Sequence, residues 1–176
     1  MGQMILDVQA FLETGGGVLR FIGIVTITMW TLMLERFYYF YAVFPKVSEE
    51  AQATWRARED HSSWGAHQIR RLMISELRMQ LESGLAYIRV LVALCPLLGL
   101  LGTVTGMIEV FDVMAIAGSG NAKAMAGGVS KATIPTMAGM VAALSGLILS
   151  ARLEQFASDE GERLADRLEI EHGGAE

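Results

Sequence analysis

The chain has 176 residues, 52% of them hydrophobic and 19% charged, with mean hydropathy +0.39 and a formal net charge of −5. A soluble domain is about a quarter charged, and here Asp, Glu, Lys, Arg and His are absent from residues 21–34, 90–108 and 132–151, windows of 14, 19 and 20 residues. A bilayer core needs about 20 apolar helical residues, so the composition excludes a soluble globule and predicts three spans, the first with recruited flanks. One cysteine and three histidines exclude a disulfide framework and a zinc-type site, and no cofactor is expected. The acidic balance without a basic cluster argues against nucleic acid.

In chain order, residues 1–14 carry Met4, Ile5, Val8, Phe11 and Leu12 at helical spacing, which predicts an interfacial amphipathic helix. Without a basic leader region, no cleaved signal peptide is expected there. The first span is placed at 15–42. Glu35 and Arg36 near its end lie at an interface or against another helix, followed by a run of five aromatic residues, Phe37 to Tyr41. Pro45 is expected to close that helix. Residues 43–85 form a polar loop with a helical extension from about Ser63, its stripe Ile69, Leu72, Met73, Leu77 and Leu81 running unbroken into the second span.

That second span is placed at 86–114, a connection at 115–128, the third span at 129–151, and a helical tail at 152–176 striped by Leu153, Phe156, Leu164 and Leu168. The fold class is therefore an all-α integral membrane protein, its second and third helices long and extending beyond the bilayer. Six Lys/Arg in 46–85, with Arg36, Arg89 and Arg152 close by, make that side cytoplasmic and the N-terminus periplasmic.

The two later spans hold small residues at packing intervals, including the GxxxG pair Gly102/Gly106 and the series Gly139, Ala142, Ala143, Ser145, Gly146. Such residues let helices approach closely in lipid, either within the hairpin or between copies; one copy has too few helices to cover both faces, which favours an oligomer. Pro96 and Pro135 are kink candidates inside these spans. Gly99, Thr103, Gly106 and Val110 share one helical face; Thr133, Thr136, Met140 and Ala143 share another. Facing a common centre, they line a dry lumen with a sparse ring of hydroxyls. The alternative is that each threonine bonds a carbonyl of its own helix. Folding the hairpin about residue 120 sets Glu109 opposite Lys131 as rim charges, Thr103 level with Thr136, and Arg89 near Arg152. Ser130-Lys131 suggests a hydrolase dyad only superficially, because adjacent helical side chains diverge; no enzyme is expected.

The segments PLLGLLGTVTGMIEVF (Pro96–Phe111) and GGVSKATIPTMAGMVAALSGL (Gly127–Leu147), with Glu35-Arg36 after the first apolar span, resemble the MotA/TolQ/ExbB family, and the short ExbB type in particular. The resemblance implies a homopentamer whose second and third helices line a lumen. In that lumen sit transmembrane helices of an ExbD-like partner, whose aspartate carries protons and whose motion energises a TonB-like protein of outer-membrane uptake. It also implies lumen roles for Thr103 and Thr136 and a kink at Pro96. Longer ExbB proteins carry a glutamate five residues before the lumen threonine of the third span; Lys131 stands there in this chain. The rival readings are a TolQ-type stator for envelope maintenance and a membrane scaffold without ion flux.

Overall fold

The structure, a computed structural model, describes residues 15–58, 60, 63–117 and 122–167. Among them all regular structure is helical. The elements are α1 (Gly16–Tyr38), a π-helical turn (Tyr39–Val43), α2 (Phe44–Arg56), α3 (Trp64–Glu82), α4 (Leu85–Ala117) and α5 (Ala122–Arg167). Among the described residues three helical stretches are long and apolar enough to cross a membrane, and only 22–28% of each apolar window is buried within the chain. The proposed interfacial helix at 1–14 lies outside the described residues.

Four expectations about the elements are corrected. Pro45 does not end the first helix. It falls in the first turn of α2, where a missing N–H costs nothing, and the preceding π turn shifts the bonding so that the Phe44 N–H reaches the Tyr39 carbonyl. The polar segment after it is helical over Phe44–Arg56, with Phe44, Ser48 and Trp55 on its buried face. The helix capped by Ser63 does not run unbroken into the second span. It stops at Glu82, and Gly84 turns the chain with φ +82°, a conformation that favours glycine. The glycine-rich connection is also shorter than expected, because α4 continues to Ala117 and α5 already begins at Ala122.

The chain divides into two compact units. The first comprises the described parts of Met1–Thr31 and Ile88–Ile148. Here α1, α4 and α5 pack through small residues: Gly146 backs onto Met29 and Val92, and the Cys95 thiol meets the Thr26 hydroxyl. Leu19, Ile22, Met29, Val92 and Cys95 are buried, whereas Phe21, Ile27, Leu97, Val141 and Leu144 are exposed. In water such an apolar surface would be an aggregation liability; in acyl chains or against other helices it is satisfied.

The second unit comprises Leu32–Tyr87 and the described part of Leu149–Glu176. Its core gathers Trp55, Ala66, Leu77 and Leu164, with Val47, Ala51, Met73 and Ile74 packed around them. Ser63 caps α3 by accepting the Ala66 N–H at 3.2 Å, and its own N–H reaches Asp60 at 2.9 Å. The α5 helix ends near Arg70, whose guanidinium donates to the Ala165 carbonyl at 2.7 Å, a cation at the negative end of the helix dipole.

Candidate functional site: the helical hairpin

The seam between α4 and α5 is built by glycine on both sides. A Cβ on Gly139 would stand 2.5 Å from the Cys95 carbonyl oxygen and 3.2 Å from the Gly99 Cα. One on Gly99 would lie 3.0 Å from the Thr136 Cα. Further along, Gly102 meets the Pro135 ring, Gly106 meets Ala132, and Gly128 meets Val110. The small residues of this stripe are therefore used within one chain. Gly99 and Gly106 face α5 of the same chain in this seam.

The threonines divide in two. Thr103 donates to the Leu100 carbonyl at 2.7 Å and Thr133 to the Ser130 carbonyl at 2.8 Å, each within its own helix. Thr136 donates across the seam to the Gly99 carbonyl at 2.9 Å. Thr133 is exposed and Thr103 half-buried, so both hydroxyl oxygens stay open to a neighbour as acceptors. The register differs from a fold about residue 120: Thr136 is level with Gly99, one turn from Thr103. Close glycine contacts fix that register, a constraint that helical spacing within either helix does not contain.

Pro96 and Pro135 lie inside helices that continue through them. Pro135 uses its ring as a packing surface for Gly102. Glu109 and Lys131 are exposed, each one position away from a seam residue (Val110 and Ala132). Among the described residues neither makes an ion pair, so mutual neutralisation at the rim is not what the structure shows.

In the second unit, Arg36 pairs with Glu35 at 3.0 Å, lies 5.3 Å from the Tyr39 ring centroid and reaches the Gln80 carbonyl at 3.5 Å. Tyr39 donates its hydroxyl to the Gln80 side-chain oxygen at 3.1 Å. Of the four cytoplasmic-side candidates, Glu35 and Arg36 sit in this network, and Arg89 and Arg152 are exposed. Arg36 thus lies against another helix, one of the two placements expected for it, and its partner Gln80 is 44 residues away, a separation that leaves no local pattern. Among the described residues no group of His, Cys, Asp and Glu is arranged to hold a metal ion.

Three apolar helices and a hairpin closed by glycine define a polytopic helical membrane protein. Residues 42–166, 125 of the 176, match the family described as the MotA/TolQ/ExbB proton channel family, and the chain belongs to that family. It is 38% identical over 84 residues to the ExbB-like 1 protein of Synechocystis sp., a stretch covering 46% of this chain and 33% of that one. It is 40% identical over 74 residues to the biopolymer transport protein exbB1 of Vibrio cholerae, covering 42% of this chain and 32% of the relative. The chain thus spans about a third of the length of the curated relatives it matches.

Proposed function

We propose that this chain is the stator and channel subunit of a proton-motive-force-driven motor of the bacterial inner membrane, of the ExbB–ExbD type, that energises TonB-dependent transport across the outer membrane. The observation that carries the reading is the family match over 42–166, which includes a hairpin whose polar side chains within the uncharged windows 90–108 and 132–151 are almost only hydroxyls. Five copies arranged with Thr103 and Thr133 inward would enclose a dry sleeve. An ExbD-like partner supplies transmembrane helices to that sleeve and, on them, the titrating acid; a TonB-like protein receives the motion. Uncovered apolar faces on α1, α4 and α5 favour assembly with other copies. The Lys/Arg bias puts residues 43–85 and 152–176 in the cytoplasm and the N-terminus in the periplasm.

The energetics suit such a motor. One proton crossing about 100 mV releases about 2.3 kcal/mol, roughly four times thermal energy. A lumen lined by small and apolar groups holds an inserted helix weakly enough for that step to bias its motion. Siderophore-dependent growth under iron limitation tests the proposal, with native mass spectrometry of the complex co-expressed with its partner. Thr103→Val combined with Thr133→Val is expected to abolish growth while leaving assembly intact. Unchanged growth would identify a scaffold without ion flux.

A further inference from the structure

Within the second unit, the end of α1 and the later part of α5 border a groove of about 550 Å³ whose walls include Leu34, Phe37, Tyr41, Leu149, Arg152 and Phe156. One side is an aromatic stack. The Phe156 ring lies 5.2 Å from Phe40 and 5.9 Å from Tyr41, and Phe37 lies 4.7 Å from Tyr41. The π turn Tyr39–Val43 supplies two of these rings. Such turns are rare and frequently mark functional positions. Phe40 is buried beneath the stack, whereas Leu34, Phe37 and Tyr41 are each more than half exposed.

The groove has one cationic side chain, Arg152, and it is exposed. Among the described residues it makes no ion pair, in contrast to Arg36, which is engaged by Glu35 and Gln80. In the sequence Arg152 is the first charge after the uncharged window 132–151, as Glu35 is after 21–34. Both helices therefore leave the apolar layer beside this groove.

We propose that the groove binds one anionic phospholipid of the surrounding leaflet. An acyl chain lies along Leu34, Phe37, Leu149 and Phe156, and the headgroup phosphate accepts hydrogen bonds from Arg152, for which a planar guanidinium is well shaped. Charge complementarity selects this occupant. An apolar helix of a second copy would cover Arg152 and leave its charge unpaired, and a choline headgroup would bring a second cation to it. The inference needs only the membrane setting, so it stands or falls apart from proton conduction.

The full chain in nanodiscs of equal phosphatidylglycerol and phosphatidylcholine, released and weighed by native mass spectrometry, tests it. Wild type is expected to retain phosphatidylglycerol about fivefold over phosphatidylcholine, the preference typical of one arginine at an anionic surface. Arg152→Gln removes the preference, Arg152→Lys keeps most of it, and Phe156→Ala lowers retention of both lipids. Excess inorganic phosphate leaves the lipid in place, because it offers no acyl chain to the aromatic wall. Equal retention of the two lipids by wild type, or an unchanged preference in Arg152→Gln, overturns the proposal. So does a benzophenone side chain at position 156 that cross-links to another copy in place of lipid.

Discussion

Thr136 on α5 and Gly99 on α4 are joined by a 2.9 Å hydrogen bond from hydroxyl to backbone carbonyl. The bond exists because glycine on both sides of the seam lets one backbone come within reach of the other helix's short side chain. It gives Thr136 a different physical role from Thr103 and Thr133, whose hydroxyls are returned to their own helices. Thr136 clasps the hairpin, whereas Thr103 and Thr133 present polar groups to whatever lies beside it.

The clasp predicts an ordering of stabilities. Thr136→Val removes the interhelical bond and leaves the Gly99 carbonyl with one acceptor site unused, a loss of about 0.6–1.7 kcal/mol by the range for such bonds in membranes. Thr103→Val removes only an intrahelical bond, to a carbonyl the helix backbone already uses, and is expected to stay within about 0.5 kcal/mol of wild type. Unfolding in mixed micelles measures both. Equal losses would show that the cross-seam bond contributes nothing specific.

A second prediction concerns the approach distance itself. Gly139→Ala places a methyl group 2.5 Å from the Cys95 carbonyl oxygen, a backbone atom with no rotamer to escape into. The helices must separate, at a cost of about 1–3 kcal/mol for overpacking. Gly23→Ala is the control, since its added Cβ meets nothing within 4 Å, and it should be neutral or slightly stabilising because alanine is the better helix former. The same unfolding measurement compares them; a Gly139→Ala variant as stable as Gly23→Ala would mean that the seam is not close-packed.

These two glycines illustrate what the sequence discloses and what it conceals. The three apolar stretches are plain from windows without charge, and the Ser63 cap is legible because its hydroxyl stands immediately before a helical stripe. Gly102 and Gly106 announce close packing but not its partner: whether such a face meets α5 of the same chain or a second copy depends on a register that spacing within one helix does not determine. The aromatic run Phe37–Tyr41 reads as a membrane-interface belt, and nothing in it signals a π turn, which depends on one extra residue being accommodated against α5. The proline at 45 misleads for the same reason, since its effect depends on whether it falls at a first turn or an interior one. Helix α2 was legible in principle: Phe44, Ser48, Ala51 and Trp55 fall at intervals of four, three and four, hidden by the polar residues between them.

Lys131 provides a third prediction. It is exposed, and among the described residues it has no ion pair to lose. Lys131→Glu, which installs the carboxylate of longer relatives as the family resemblance implies, should change stability by no more than about 0.5 kcal/mol. In a siderophore-uptake assay it is expected to be tolerated better than Thr136→Val. The reverse order would assign the lysine an active electrostatic role at the outer mouth.

The last prediction joins Gly84 to Arg36. Gly84 has φ +82°, and a Cβ there would lie 2.7 Å from the Arg36 Nε. Gly84→Ala therefore carries two separable costs: about 1–2 kcal/mol for an L side chain in the left-handed region, and displacement of the guanidinium from the Gln80 carbonyl. Gly84→Asn should recover part of the first, because asparagine tolerates that conformation, but none of the second. Arg36→Ala loses the contact at Gln80 while making room at the corner. Combined with Gly84→Ala it should cost less than the sum of the two single changes, since the clash is already relieved. A double-mutant cycle read by thermal unfolding of the micelle-solubilised protein measures this. Strict additivity would separate the backbone turn from the arginine and leave Arg36 bound to its pairing with Glu35 alone.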